Sequence, residues 1–416
     1  MIHIYRHPCL KGFLRKSAPA LLILTICGGV AMSPRKSSDT GRVRVLFIGQ
    51  PMGGDAANRN YAYLESDPFI DPTPVIAWSY YWPDEVIRKS VRMYMPRNYE
   101  NLIEGYDVIS LQYADMEKLC DYAKWFSDAI GKDGLGLYLM GVGWSYANWF
   151  DTTVADVLPV DLVRIPETAL SYRRMVVGVR ILKPEHPLIS SVPWSKAGQY
   201  GHFPIYNVVS PRDGSEVLAN VVPFLEQESP FLVWWDIGKG RTLTQTSSYD
   251  DVDAQFTEWD FYPDWDSNIH LFSAGQDIPQ NPYLVHKLRS ALWDCRVQRG
   301  GVISLIDFVS ELGGNPLDIE KSLTNADDKI KEAETMYLSQ EFEKGLVLTN
   351  EALLDLEKAD DEAMKLKDRT FIWIYTIEWL ILMATSMGAG TMVWGLMIRR
   401  YFFREVITTR LSRTAT

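Results

Sequence analysis

Ser145 is the residue best placed by type and context to act as a nucleophile. It sits in Gly143-Trp144-Ser145-Tyr146-Ala147, which matches Gly-x-Ser-x-Gly except that Ala147 replaces the second glycine. A serine hydroxyl needs a base beside it and an acid behind that base. His202 or His270 with a carboxylate from residues 250–253 would complete the set. The competing reading is a turn serine that hydrogen-bonds its own backbone.

The other constellations are weaker. Asp250, Asp251 and Asp253 form an acidic group without the residue order of a calcium loop, and read better as solvated acids. The histidines of the body, His186, His202, His270 and His286, include no pair at i, i+3 or i+4 spacing, so no zinc is expected. Residues 49–55, Gly-Gln-Pro-Met-Gly-Gly-Asp, have glycines but neither dinucleotide nor P-loop spacing. They read as a plain loop at the ligand edge of a sheet, and no metal or cofactor is expected. Between 256 and 265 aromatics alternate with Glu258, Asp260 and Asp264. Such faces beside carboxylates grip sugars, and they also cover cores; covering is the better reading, with a carbohydrate ligand as the functional one. Residues 79–85, Ser-Tyr-Tyr-Trp-Pro-Asp-Glu, are a second cluster of aromatics and acids.

These residues need a scaffold. Residues 135–140 are a short apolar run of buried-strand type, ending at Gly141 and Gly143, where backbone without Cβ can turn. The turn would expose Trp144, Ser145 and Tyr146 at the strand's C-terminal end. Residues 43–48, 74–78 and 106–112 read as further strands, and 114–130 has apolar residues at helical spacing. Strand, helix, strand in this rhythm predicts a doubly wound parallel α/β sheet, in which ligands bind past the carboxyl ends of strands. Residues 175–179 and 206–209 continue it. Residues 231–235 and 241–246 form a late hairpin across Gly238-Lys239-Gly240, and 283–295 a closing helix. The expected domain is 43–305. Residues 317–368 are charged, nearly free of Gly and Pro, and keep an apolar stripe, which predicts a helical stalk.

Both ends carry membrane signals. Residues 1–33 pair a basic start (Arg6, Lys11, Arg15, Lys16) with an apolar run at 18–32, and read as a signal peptide or signal anchor. Residues 34–42 are a polar linker. Residues 380–398 hold no charge, within an expected transmembrane helix at 371–398, and aromatics stand at both ends. The tail at 399–416 is rich in arginine, which places it in the cytoplasm and the body outside the cell membrane. Ala384 and Gly388 offer a small-residue face to a membrane-protein partner, through the span or the stalk.

The chain has 416 residues, 47% of them hydrophobic, and a net charge of −11. That is ample for one large domain and argues against a nucleic-acid partner. Of four cysteines, Cys120 and Cys295 lie in the body. They form either a disulfide or two reduced thiols.

Leu139-Met-Gly-Val-Gly-Trp-Ser-Tyr followed by Thr153-Val-Ala-Asp-Val-Leu-Pro-Val resembles class I glutamine amidotransferase-like domains of membrane-anchored prokaryotic proteins. The resemblance spans roughly residues 42–300. The end of the chain, Ile377-Glu-Trp-Leu and Trp394-Gly-Leu-Met-Ile-Arg-Arg, is similar to the anchors of archaeal proteins of this architecture. The family implies a flavodoxin-like fold, a Cys nucleophile at the turn after the strand, and a late His–Glu pair. Here the turn has no Cys, and Ser247-Ser248-Tyr249-Asp250 stands where the His would be expected. The resemblance therefore implies an amidotransferase-like domain that is not an enzyme, acting as a ligand-binding or scaffold module. Its expected ligand residues are Gln50, Gly143, Trp144, Ser145, Tyr146, Ser247, Ser248, Asp250 and Trp259. The alternatives are a hydrolase of a carbohydrate or acyl substrate through Ser145, and a structural subunit of a membrane complex.

Overall fold

A computed structural model of the chain describes residues 41–51, 57–165, 170–223, 227–247 and 255–413. The expected leader at 1–33 and most of the linker lie outside the described residues.

The strands are β1 (Val43–Gly49), β2 (Ile70–Ile76), β3 (Val108–Gln112), β4 (Gly136–Met140), β5 (Val160–Leu162), β6 (Tyr172–Ile181), β7 (His202–Asn207), β8 (Val209–Pro211), β9 (Glu216–Val222), β10 (Ser229–Ile237) and β11 (Gly240–Gln245). The helices are α1 (Ala57–Ser66), α2 (Asp84–Tyr94), α3 (Tyr99–Gly105), α4 (Ala123–Asp128), α5 (Trp144–Ala147), α6 (Pro187–Ser190), α7 (Tyr262–Ser273), α8 (Pro282–Glu311), α9 (Leu317–Leu338) and α10 (Phe342–Arg413).

Two compact units share these elements: Met1–Trp293 with Glu332–Val347, and Asp294–Lys331 with Leu348–Thr416. The first holds the large sheet, ordered β2-β1-β3-β4-β11-β10-β9-β6-β7. β1 through β4 are parallel, and β11 pairs parallel with β4. The order 2-1-3-4 followed by β11 is the flavodoxin-like arrangement, with the fifth place taken by a late strand. β3 and β4 are buried on both faces, which is why they read as continuous apolar runs.

From β10 onward the sheet is antiparallel. The sheet is therefore mixed rather than parallel throughout. The expected hairpin is β10–β11, turning at Gly238 with φ 61°. A Cβ on Gly238 would stand 2.1 Å from Gly131 O, so only glycine fits this turn against the α4 connection. The helix expected over 114–130 is broken into short 3₁₀ turns, then α4, then a π-helical turn at Ala129–Asp133. Asp115 caps the first piece through the Glu117 N–H, a local bond that competes with a continuous helix.

Two cores cover the sheet. One joins Tyr138, Leu218, Phe231, Phe256 and Trp265; the other joins Leu46, Ile109, Leu137, Phe126 and Trp149. Residues 332–347 are tied into the first unit by Arg289, which is 8% exposed. Its guanidinium pairs with Asp67 at 2.8 Å and Asp264 at 2.9 Å, and donates to Tyr337 Oη.

In the second unit the later part of α8, α9 and α10 pack through Cys295, Ala326, Ala352 and Leu356, then Val302, Ile319, Ala359 and Ala363. α10 contains a stretch long and apolar enough to cross a membrane, and that stretch is wholly exposed. Cys120 and Cys295 are free thiols, so no disulfide joins them.

Candidate functional site

β4 runs through the middle of the sheet and ends in a sharp turn into α5. Gly141 has φ 156° and Gly143 has φ 57° with ψ −130°, so the corner of the turn is Gly143. In a nucleophile elbow the reacting side chain sits at such a corner between two glycines. That places Gly141, Gly143 and Ser145 on the glycine, nucleophile and glycine positions. The frame differs by two residues from the one expected for Ser145, and the nucleophile position carries only hydrogen.

Tyr172 fills the space a nucleophile would need. A Cβ on Gly143 would stand 3.3 Å from the Tyr172 ring. Ser145 lies one residue inside α5, which turns its side chain back toward the turn. Its hydroxyl donates to Val142 O at 2.9 Å, and the residue is 4% exposed.

Asn207, at the end of β7, stitches the elbow to the sheet. Its Oδ1 accepts from the Gly143 N–H at 3.0 Å, and its Nδ2 donates to Gly141 O at 2.8 Å and Thr246 O at 3.1 Å. A buried asparagine meeting three backbone groups fixes the turn's shape. The only sequence signal for it was a polar residue within the apolar run at 206–209.

The histidines lie elsewhere. His270 Nδ1 bonds Asp266 O at 2.7 Å and Nε2 bonds Ser110 Oγ at 2.9 Å. A carbonyl can only accept, so Nδ1 carries the proton and Nε2 accepts from Ser110. Complete burial pushes the imidazole down to about 4. The Asp266 carboxyl is pushed well up by the same burial. This Ser110–His270–Asp266 line is closed off from solvent, all three residues being at most 1% exposed. His186 Nδ1 accepts from the Leu188 N–H as the cap of α6, and His286 Nδ1 bonds Asp264 Oδ2 at 2.7 Å.

The remaining expected residues separate. Tyr146 is fully buried, with its hydroxyl 2.8 Å from Thr244 Oγ1, so it faces the core rather than a ligand. Ser247 is fully buried and donates to Ile205 O, within a bridge to Tyr206. Trp259 is 3% exposed and packs on Phe256, Phe261 and Trp194. The described aromatics at 256–265 therefore pack into the core. Ser248 and Asp250, with Asp251 and Asp253, lie outside the described residues. Gln50 is 2% exposed, and its Oε1 has no partner. Among the described residues no group of three His, Cys, Asp or Glu side chains could hold a metal ion.

Trp144 alone of the turn side chains reaches solvent, at 45% exposure. It lines a groove of about 890 Å³ with Gly143, Asn148, Arg164, Tyr172 and Arg212. Arg212 is committed to Asp161 and to the Ala155 and Leu158 carbonyls. Arg164 is exposed.

No curated protein matches the chain. Among solved structures, the cytoplasmic proteins STM3548 and STM1381 of Salmonella typhimurium are 21% and 19% identical. Each has a TM-score of 0.43 and covers 56% of this chain and 99% of its own. A beta-galactosidase from Bacillus circulans sp. alkalophilus is 12% identical with a TM-score of 0.31, covering 57% of this chain and 32% of its own. Residues 113–272, from the end of β3 through the elbow to α7, match the family model described as "Putative glutamine amidotransferase", and the chain therefore carries a glutamine amidotransferase-like domain.

Proposed function

We propose that this protein is a membrane-anchored amidotransferase-like module that binds a ligand or scaffolds partners without nucleophilic catalysis. One observation carries the reading: the elbow corner is Gly143, and Tyr172 stands 3.3 Å from where its Cβ would be. An elbow without a side chain keeps the ligand edge of the fold and loses the attacking atom. Ser145 does not replace it, because its hydroxyl is spent on Val142 O. The groove beside Trp144 supplies a place for a ligand. Anchoring would come from the apolar stretch of α10, with the arginines from Arg399 onward in the cytoplasm and the α/β domain outside.

The test uses the full chain in detergent. Glutamate release from glutamine should stay at the buffer rate. Release above it that Ser145→Ala abolishes would overturn the reading. Alkaline extraction of expressing cells should leave the chain in the membrane pellet, and a stop codon after residue 370 should release it.

A further inference from the structure

We propose that the sheet edge at the ends of β1, β2 and β3 is a saccharide-binding site, with Tyr80 and Tyr81 as its stacking shelf. The proposal gives the binding role a ligand class and a second place, at the strand ends rather than in the groove beside Trp144, and it rests on the non-catalytic reading above. The chain leaves β1 toward β2 on one side and resumes at β3 on the other, so the β1–β3 boundary is the switch point of the parallel sheet. Ligands of open α/β sheets bind past the carboxyl ends of strands at such a point.

Three strand ends are bound together there. The Ala77 N–H donates to Gly49 O at 2.8 Å, and the Asp115 N–H donates to Ala77 O at 2.7 Å. Gln50 and Trp78 each follow directly, and Tyr113 stands at the end of β3. Trp78 stacks on Tyr113, with centroids 4.9 Å apart and an interplanar angle of 20°. Tyr80 stacks on Trp78 at 5.8 Å, and Tyr81 meets both edge-on at 4.9 Å. The ladder climbs out of the core: Tyr80 is 73% exposed and Tyr81 42%. A ring covering the core would be buried as Trp259 is.

The shelf is held in place. Ser79 Oγ donates to Asp115 Oδ2 at 2.7 Å. Tyr113 has φ 59°, a left-handed backbone that a tyrosine adopts only under constraint, and such positions cluster at ligand sites. At the strand ends two polar atoms are buried without a partner: Gln50 Oε1, an acceptor, and Trp78 Nε1, a donor, in residues 2% and 5% exposed. A buried donor and acceptor left open are uncommon in native proteins. The CH face of a pyranose ring suits such an aromatic surface. The neighbouring charges are already paired, Lys118 with Asp84 at 2.9 Å and Lys89 with Glu85 at 3.2 Å, which favours a neutral ligand.

The experiment is saturation-transfer NMR and tryptophan fluorescence titration on the full chain, in a detergent without a sugar headgroup. The probes are cellotriose, maltotriose and triacetylchitotriose. At least one should bind, and Tyr80→Ala and Tyr81→Ala should each weaken it by about tenfold, the loss of one stacked ring. Tyr80→Trp should keep the binding. An unchanged melting temperature confirms that the exposed rings can be removed without unfolding. No binding of any probe overturns the proposal, as does binding that survives both Tyr variants. Each of those results leaves the glutamine assay, and so the non-catalytic reading, standing on its own outcome.

Discussion

Replacing His270 by Gln tests the buried line beneath the sheet. In the native state burial holds the imidazole neutral down to about 4, against 6.5 for the free side chain. The unfolded chain therefore binds a proton through this window that the native chain refuses. Stability from this residue is complete above about pH 6.5 and is lost as pH falls toward 4. At 1.36 kcal/mol per pH unit the loss amounts to about 3 kcal/mol. Asp266 acts in the opposite sense, because its native carboxyl keeps a proton that the unfolded one releases near 3.8. That contribution is common to both proteins and cancels in the comparison. Urea unfolding of the full chain in detergent, followed by tryptophan fluorescence from neutral pH to about pH 4, gives the measurement. Wild type should lose about 3 kcal/mol more than His270→Gln over that range. Equal losses would refute the claim that the imidazole is buried and neutral.

Asp266→Asn should stabilise the chain at neutral pH, with a gain that grows as pH rises above 4, because the buried carboxyl no longer has to hold its proton; parallel urea titrations at two pH values show it. Arg289→Met leaves buried Asp67 without its cation and Asp264 with only His286 beside it, and a denaturant titration should show a loss of about 3–5 kcal/mol. Gly143→Ala puts a Cβ on a positive-φ residue 3.3 Å from the Tyr172 ring. It should cost about 1–3 kcal/mol in denaturant titration, and adding Tyr172→Ala should return part of it.

Parallel strands buried on both faces leave a direct trace in sequence. The runs around β3 and β4 were legible because no solvent-facing residue interrupts them, and β1 is broken only by the half-buried Arg44. The β10–β11 hairpin was legible for another reason, since its turn tolerates only glycine at Gly238. β9 was not legible. Glu216-Val-Leu-Ala-Asn-Val-Val mixes half-buried and buried positions without a clean period, and its pairing with β6 joins residues far apart in the chain. The break in the expected 114–130 helix depends on one capping carboxylate, Asp115, which looks the same in sequence as any surface acid.

The site shows the limit of motif reading more sharply. Gly141-Val-Gly-Trp-Ser fits an elbow in two frames, and Ser145 suggested the wrong one. Only backbone angles separate them, because the corner is set by the positive φ of Gly143 and not by the residue with a hydroxyl. The partners that close the nucleophile space and fix the turn, Tyr172 and Asn207, come from strands that meet β4 only after folding. Exposure separates the aromatic clusters in the same way. Residues 79–85 and 256–265 have the same composition of rings and acids, yet Trp259 sits under the sheet's cover while Tyr80 stands in solvent. The difference comes from where each stretch attaches. The first leaves the carboxyl end of a parallel strand, the edge at which such sheets take ligands; the second leads into α7, whose face the core requires. Loss of the nucleophile at Gly143 thus removes chemistry from this edge without removing its geometry. On the reading proposed above, what remains is a strand-end surface with exposed rings, the form a binding module would take.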